Sequence, residues 1–403
     1  VSLSHVDVVI VGAGVVGLTT ALLLAAEDLD LNITLIDAKT PNTIWNNDKG
    51  DVPDWDIRTS AITRFTQQIW VSLGVWSRIQ KKRLTAYADM AVQDAAGFGA
   101  LSFSAAEIGE PNLGHIIENK VILTSLWETV LKNAAITVKA PLCLSRIEQG
   151  KDARFLIKDN GEQVFSTKLL IAADGPNSWV REQLGIRCDK TPYGQAAIIT
   201  TVKTERPHNC VAWQRFLPTG PLAFLPLSDP QVSSIVWTQP IEKAPVWCEQ
   251  SPEEQATTLA HASDYFFGKV TCLNKPRYFP LLKQHVREYV KPGLALVGDA
   301  AHVMHPLAGQ GVNVGIKDAF VLTEEICRTI KTCRQPIGDY WALRRYERHR
   351  RAEVTEMLGL VGGLNTLFKS DLSLIRMVRS LGINHLNQNK WVKNWLMQQA
   401  LGI

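Results

Sequence analysis

Two histidines three residues apart, His302 and His305, lie in the stretch GDAAHVMHPLAGQG (residues 298–311), between Asp299 and a run of glycines. Such a cluster has two chemical readings, part of a metal site or a loop that holds a cofactor. A zinc site needs three or four ligands. No cysteine or acid stands at ligand spacing from this pair, so the expectation is no metal. A second set of residues carries a clearer chemistry. Gly12, Gly14 and Gly17 stand in G-x-G-x-x-G spacing with Val16 inside the turn, and Asp37 follows 20 residues after Gly17. In that pattern the first glycine permits a tight turn, the second lets the backbone approach a pyrophosphate, and the third lets a helix pack on a strand. Asp37 then stands where a carboxylate accepts hydrogen bonds from ribose hydroxyls. It would repel a ribose 2′-phosphate, which leaves NAD or FAD rather than NADP as the resident nucleotide.

These residues need elements to position them. Val6–Val11 is a β-branched apolar run, the mark of a strand buried on both faces. Leu18–Ala26 reads as a helix whose N-terminus offers free N–H groups to phosphates, and NITLID reads as the second strand. Two distant segments repeat the strand-then-loop theme. KLLIAADGPNSWVRE (168–182) gives a strand, a turn at Asp174 and a helix carrying Arg181. GLALVGDAAHVMHPLAGQGVNVGIKDAFVLTEEI gives a strand, an acidic turn at Asp299, and a glycine-rich loop opening a helix that runs to about Lys331. A long cofactor would explain their convergence. FAD needs a phosphate cradle, an acid for its ribityl chain and N–H donors for its ring.

Composition sets the frame. The chain has 403 residues, 46% of them apolar, and a net charge of +4. Two domains are the natural expectation at this length, and the charge is too small to argue for nucleic acid. Seven unpatterned cysteines suggest reduced thiols in a cytoplasmic protein rather than a disulfide framework. The first apolar run is broken by Asp7 and three glycines and follows no basic segment, so it reads as strand, turn and helix rather than a signal peptide. No other stretch reaches the ~18 apolar residues of a spanning helix.

The chain resembles the class A flavin-dependent aromatic hydroxylases, the para-hydroxybenzoate hydroxylase-like superfamily. Three motifs carry the resemblance: GAGVVG (12–17), ADGPNSWVR (173–181) and GDAAHVMHP (298–306). GHIIEN (114–119), AWQRFLPTGPLAFLPL (212–227) and HPLAGQGVNVG (305–315) resemble its ubiquinone-biosynthesis branch. The resemblance implies that Asp299 holds the ribityl chain and that the N–H groups of Gly311, Val312 and Asn313 face the flavin pyrimidine edge. It implies that Pro306 lies near the flavin, that Arg58 lies along the cofactor, and that Asp174 and Arg181 serve both FAD and transient nicotinamide binding; a salt bridge pinning a helix is the alternative for Arg181. One stretch departs: Lys120 and Leu123 stand where many relatives carry Arg and a polar residue near the flavin. Lys120 keeps the charge without bidentate geometry, and Leu123 cannot donate a hydrogen bond.

The expected fold is α/β, a Rossmann-like FAD-binding domain interleaved with an antiparallel-sheet substrate domain, plus C-terminal helices. The expected boundaries are 1–75, 105–185 and 276–340 for the FAD-binding domain, 76–104 and 186–275 for the substrate sheet, and 341–403 for the C-terminal helices. Trp213, Phe216, Phe224 and Trp237 lie on alternating strands that read as an antiparallel sheet closing over the flavin. With no basic cluster to grip a carboxylate, an apolar aromatic substrate is favoured, and the resemblance implies a polyprenylated phenol. It also implies the chemistry: NAD(P)H reduces FAD, O2 gives a C4a-hydroperoxide, and the electron-rich ring attacks its terminal oxygen. No residue declares itself as the base; His302, His305 and Pro306 are candidates by proximity. LRRYERHRR (343–351) and the stripe Trp391, Trp395, Leu396 and Met397 read either as a packing helix with a solvated basic face, or as a patch that meets the inner membrane, a biosynthetic complex or a second subunit. An epoxidising or oxidase-like flavoenzyme and a flavin-bound scaffold are the competing readings. The ring position hydroxylated stays open.

Overall fold

The computed structural model describes residues 2–41, 54–95, 99–150, 155–159, 163–305, 309, 311–369 and 393–394. The first strand, Ser2–Val11, is the centre of an eight-stranded sheet. It pairs in parallel with Gln163–Ala172 on one side and Ile33–Ile36 on the other, and the sheet continues in parallel to Leu294–Leu296 and to Ile136–Lys139. Val8, Val9 and Ile10 are fully buried, as a strand covered on both faces requires. Helix Val15–Ala26 leaves the first strand at the glycine turn and packs against the long helix Gly311–Lys331. The three segments expected to converge therefore end side by side at the carboxyl edge of one parallel sheet, where open α/β sheets bind their ligands.

A second sheet has nine strands. Its middle runs antiparallel through Arg277–Val286, Cys188–Thr204, Val232–Pro240, Gly220–Pro226 and Val211–Leu217, then in parallel to Asp89–Asp94. Side chains alternate between two faces. Trp213, Phe224, Ile235 and Trp237 fill an apolar core under helices Lys243–Cys248 and Pro252–Ala262, so these aromatic residues are core on the face away from the cleft. The opposite face bears Ala197, Ala212, Gln214, Ala223 and Val236 and looks toward the first unit. A three-stranded sheet of Thr59–Ile62, Gly114–Glu118 and Thr85–Tyr87 bridges the two.

The layers match the expected α/β plan, but two expected boundaries move. Arg277–Val286 pairs with Cys188–Ile199, so it belongs to the second sheet, and only at buried Val286 does it enter the first core. Trp76 and Ile79, assigned by sequence to the substrate domain, pack in the first core. The helix Tyr340–Lys369 closes the molecule by packing on Gly311–Lys331. Trp391, Trp395, Leu396 and Met397 lie outside the described residues; nearby Lys393 is buried against Glu107 at 2.7 Å. Among the described residues, no helix is long and apolar enough to cross a membrane.

Candidate functional site

The glycine turn does three separate jobs. Gly12 has φ +102°, and a Cβ there would lie 2.4 Å from the Ala173 carbonyl oxygen. A Cβ on Gly17 would lie 1.9 Å from the Gly12 oxygen. Both positions need glycine because backbone meets backbone. Gly14 differs: it caps helix Val15–Ala26, and no atom lies within 4 Å of where its Cβ would stand. Space above a helix N-terminus suits an anionic group. Val16 fills the other side, where Cβ atoms on Gly298 and Gly315 would come within 3.1 Å and 2.6 Å of its methyl. Val16 thus joins the first glycine motif to both later loops. The Asp37 carboxylate accepts from Ala13 N and Lys39 N, each at 2.7 Å, which fixes it at the end of its strand beside the turn.

Asp174 accepts from Val180 N at 3.0 Å through one oxygen, while the other is buried without a partner among the described residues. Burial pushes its carboxyl above the usual range. A buried, unpaired carboxylate oxygen against the glycine turn is a polar group suited to a ligand's hydroxyl donor. Arg181 is committed to backbone carbonyls. It is buried and donates to the carbonyls of Ala300 at 2.9 Å and Pro176 at 2.8 Å, so it ties one acidic turn to the other.

Asp299 follows strand Leu294–Leu296 in a short 3-10 turn and keeps an accessible side chain. Enclosure by the surrounding protein raises its carboxyl, with His302 and Arg58 opposing that and Asp318 reinforcing it. The turn beneath it is held by a buried hub. One oxygen of Asp318 accepts from Gly298 N at 2.9 Å and pairs with His302 Nε2 at 2.6 Å; the other accepts from Arg350 Nε at 2.7 Å. Burial alone would push the Asp318 carboxyl up, but His302 and Arg350 overcome this and hold it below the usual range. His302 is therefore turned into the hub. His305 instead lines the cavity described below, its ring edge-on to Tyr193 at 5.1 Å. Pro306 lies outside the described residues.

Gly311 opens the long helix with open space at its Cβ position, and Val312 follows in its first turn. The Asn313 side chain is committed to structure. Its oxygen accepts from Thr63 N at 3.1 Å and Thr66 Oγ1 at 2.9 Å, and its amide donates to Ala61 O at 2.7 Å. Its backbone N–H stays in the helix's first turn, where N–H groups have no intrahelical partner.

Arg58 sits over the Phe279 ring at 4.7 Å. Its segment is clamped to the GHIIEN strand. Glu118 accepts from Asp56 N and from Arg83, both at 2.8 Å; Asn119 N donates to Arg58 O at 2.9 Å; Lys120 N donates to Asp56 at 2.9 Å. The Lys120 ammonium pairs with Asp54 at 3.3 Å, so the departing residue serves this clamp. Leu123 packs half-buried on the first core.

Between the two units lies a cavity of about 450 Å³. One wall is the second sheet's small and apolar face. The other is Met304, His305 and Gly309 of the glycine-rich loop, with Arg58 at the side. Tyr87, Met90, Phe103 and Leu113 complete an apolar lining. Sequence reasoning missed Asp318, Arg350, Glu118 and Arg83. The first two stand in helical patterns that carry no sign of their partners, whereas buried Glu118 could have been suspected from an acid inside an apolar strand.

Comparison with known proteins agrees with this geometry. A family model described as "FAD binding domain" matches residues 5–360. The chain is 33% identical over 401 residues to the 3-demethoxyubiquinol 3-hydroxylase of Escherichia coli (strain K12), covering 98% of each chain. It is 32% identical over 396 residues to ubiquinone hydroxylase UbiL of Rhodospirillum rubrum, covering 98% of this chain and 89% of that protein. Its fold matches the crystal structure of p-nitrophenol 4-monooxygenase PnpA from Pseudomonas putida DLL-E4, with a TM-score of 0.76 at 18% identity, over 99% and 98% of the two chains.

Proposed function

The chain belongs to the FAD-binding family of flavin-dependent aromatic hydroxylases, and we infer from this and from the cavity that it hydroxylates the ring of a polyprenylated phenol in ubiquinone biosynthesis. The observation that carries the substrate assignment is the lining: a cavity of about 450 Å³ with largely apolar walls, in which Arg58 is the only arginine and no lysine appears among the described residues. Such a cavity suits a neutral aromatic ring with an apolar tail, and it offers no cluster of charge for a carboxylate.

FAD, reduced by NAD(P)H and reacting with O2, supplies the activated oxygen when bound. The chain's own residues bind, orient and exclude water. We assign Gly12, Gly14, Val16, Gly17 and Asp37 to the ADP half, on the open N-terminus at Gly14 and the fixed carboxylate at Asp37. Asp174 and Asp299 serve the hydroxyl-bearing middle of the cofactor; both have raised carboxyls, which accepting hydroxyl protons would relieve. The N–H groups at Gly311, Val312 and Asn313 offer the positive end of a 21-residue helix to the electron-rich edge of a reduced ring. Arg58 is assigned to the cofactor's flank. His305 borders the substrate, whereas His302 supports the loop through Asp318.

The test uses the FAD-loaded chain with NAD(P)H, labelled O2 and short-chain prenylated phenols. The expected result is a hydroxylated ring carrying one labelled oxygen. An epoxidised tail would favour the epoxidase reading, and peroxide without any oxygenated product would refute hydroxylation. A chain that forms no oxygen adduct yet restores quinone synthesis in cells would be the scaffold.

Delivery of so apolar a substrate suggests peripheral contact with a membrane. Exposed Trp341 and the basic row Arg344, Arg348 and Arg351 share one face of helix Tyr340–Lys369 and support it. Co-sedimentation with anionic vesicles, lost on Trp341→Ala with Arg348→Glu, is the expected outcome; equal sedimentation of the variant would remove the proposal.

A further inference from the structure

The strand Val211–Leu217 places Trp213 and Gln214 on opposite faces of the second sheet. Trp213 is buried in the outer core against Phe224 and Phe267. Gln214 lines the cavity and is 8% exposed. Its side-chain amide has no hydrogen-bond partner among the described residues. Several other polar groups of the lining are engaged: Thr59 Oγ1 donates to Ser234 at 2.9 Å, Asn119 Oδ1 accepts from Ser60 at 2.7 Å, and Arg58 covers Phe279. The amide's polar atoms are not sealed inside the protein, so they are open to the cavity and to a ligand's polar group. The register leaves room for that partner on one side. Ala223 stands directly across from Gln214 and Ala212 lies next along the same face, whereas Val92 on the other neighbouring strand and Phe216 along its own strand bound the opposite side.

We propose that the Gln214 amide hydrogen-bonds an oxygen substituent of the substrate's aromatic ring and thereby sets which ring edge faces the wall formed by Met304, His305 and Gly309. This rests on the hydroxylase reading above and specifies how that site reads its substrate. An amide both donates and accepts, so it matches a ring hydroxyl, which does the same. The surrounding apolar surface holds the ring and tail without orienting them. Gln214 is a binding and specificity residue; no proton transfer is assigned to it.

The test titrates the FAD-loaded protein with a short-chain prenylated phenol and with the corresponding prenylbenzene that lacks ring oxygens, following the flavin absorbance. The wild type should prefer the phenol by about tenfold, the worth of one satisfied neutral hydrogen bond in a buried site. Gln214→Leu should weaken the phenol by about tenfold and leave the prenylbenzene unchanged. In turnover it should raise KM more than it lowers kcat and broaden the positions hydroxylated. Gln214→Asn, which keeps the amide on a shorter arm, should fall between. Equal loss for both ligands, or no loss for either, overturns the inference while leaving the hydroxylase reading intact. If Gln214→Leu fails to fold, the wild type's phenol preference and Gln214→Asn decide, and no preference overturns it. A wild type that binds neither ligand and oxygenates no phenol overturns the hydroxylase reading and this inference together.

Discussion

Asp318 is the residue whose replacement tests the architecture most sharply. Three donors converge on its two oxygens: Gly298 N and His302 on one, Arg350 on the other. Asp318→Asn keeps the volume but exchanges one acceptor oxygen for a donor. If the amide nitrogen takes the position facing Arg350, donor meets donor and the guanidinium, 1% exposed, is left with Glu353 and the Val314 carbonyl. If it faces the other way, the Gly298 N–H loses its acceptor and the turn bearing Asp299 is released. Either orientation breaks a buried charge pair, which costs about 3–5 kcal/mol. The assay is urea unfolding followed by tryptophan fluorescence, together with the FAD content of the purified protein. The expected result is a loss of about 3 kcal/mol or more and weakened FAD retention. Because Asp318 and Arg350 share one bond, the double variant with Arg350→Met should be less destabilised than the sum of the two. A variant within about 1 kcal/mol of the wild type, with unchanged FAD retention, would refute the hub.

Two glycines three apart should respond in opposite ways. A Cβ at Gly14 has no protein atom within 4 Å, so Gly14→Ala should keep the thermal midpoint while weakening FAD retention, whereas Gly17→Ala drives a Cβ into the Gly12 carbonyl and should fail to fold; calorimetry and flavin absorbance separate the two. Burial, helped by Arg64, lowers His115 to about 4 from an ordinary 6.5, so the folded protein keeps this ring neutral. Its contribution is present above pH 6.5 and is lost as pH falls from there to about 4, a change of roughly 3 kcal/mol. Denaturation midpoints across that window should fall less steeply in His115→Gln, and an unchanged slope would contradict the assignment. Glu118→Gln removes the charge that Arg83 faces at 2.8 Å and should cost about 1.5–3 kcal/mol. It should also speed hydrogen exchange at residues 56–60, and exchange equal to the wild type would mean that the clamp does not hold the Arg58 segment.

What the sequence reveals and what it hides divides along the distance over which each cause acts. The glycine turn and Asp37 are readable because their constraints are local: a turn, a helix start and a strand end within 26 residues, 12–37. The cavity face is readable in part, since period-two alternation puts Trp213 and Phe224 on one side and Gln214 and Ala223 on the other. The hub is not readable. Asp318 lies inside a helix, His302 lies 16 residues before it, and Arg350 lies 32 residues after it within a run of basic residues. Taken alone, LRRYERHRR looks like a solvated basic face. In three dimensions, Leu343, Tyr346, Glu347 and Arg350 recur at helical spacing and face inward. Tyr346 donates to the Leu296 carbonyl at 2.7 Å, and Glu347 accepts from Tyr289 N at 2.8 Å. Half of that basic motif is therefore an internal brace for the strand and turn that present Asp299. The same logic separates the two histidines. His302 pairs with a carboxylate that only the fold brings near, while His305, three residues on, emerges from that brace into the cavity. A charged residue in a helical repeat is solvated or buried according to what the rest of the chain sets against it, and no local pattern contains that information.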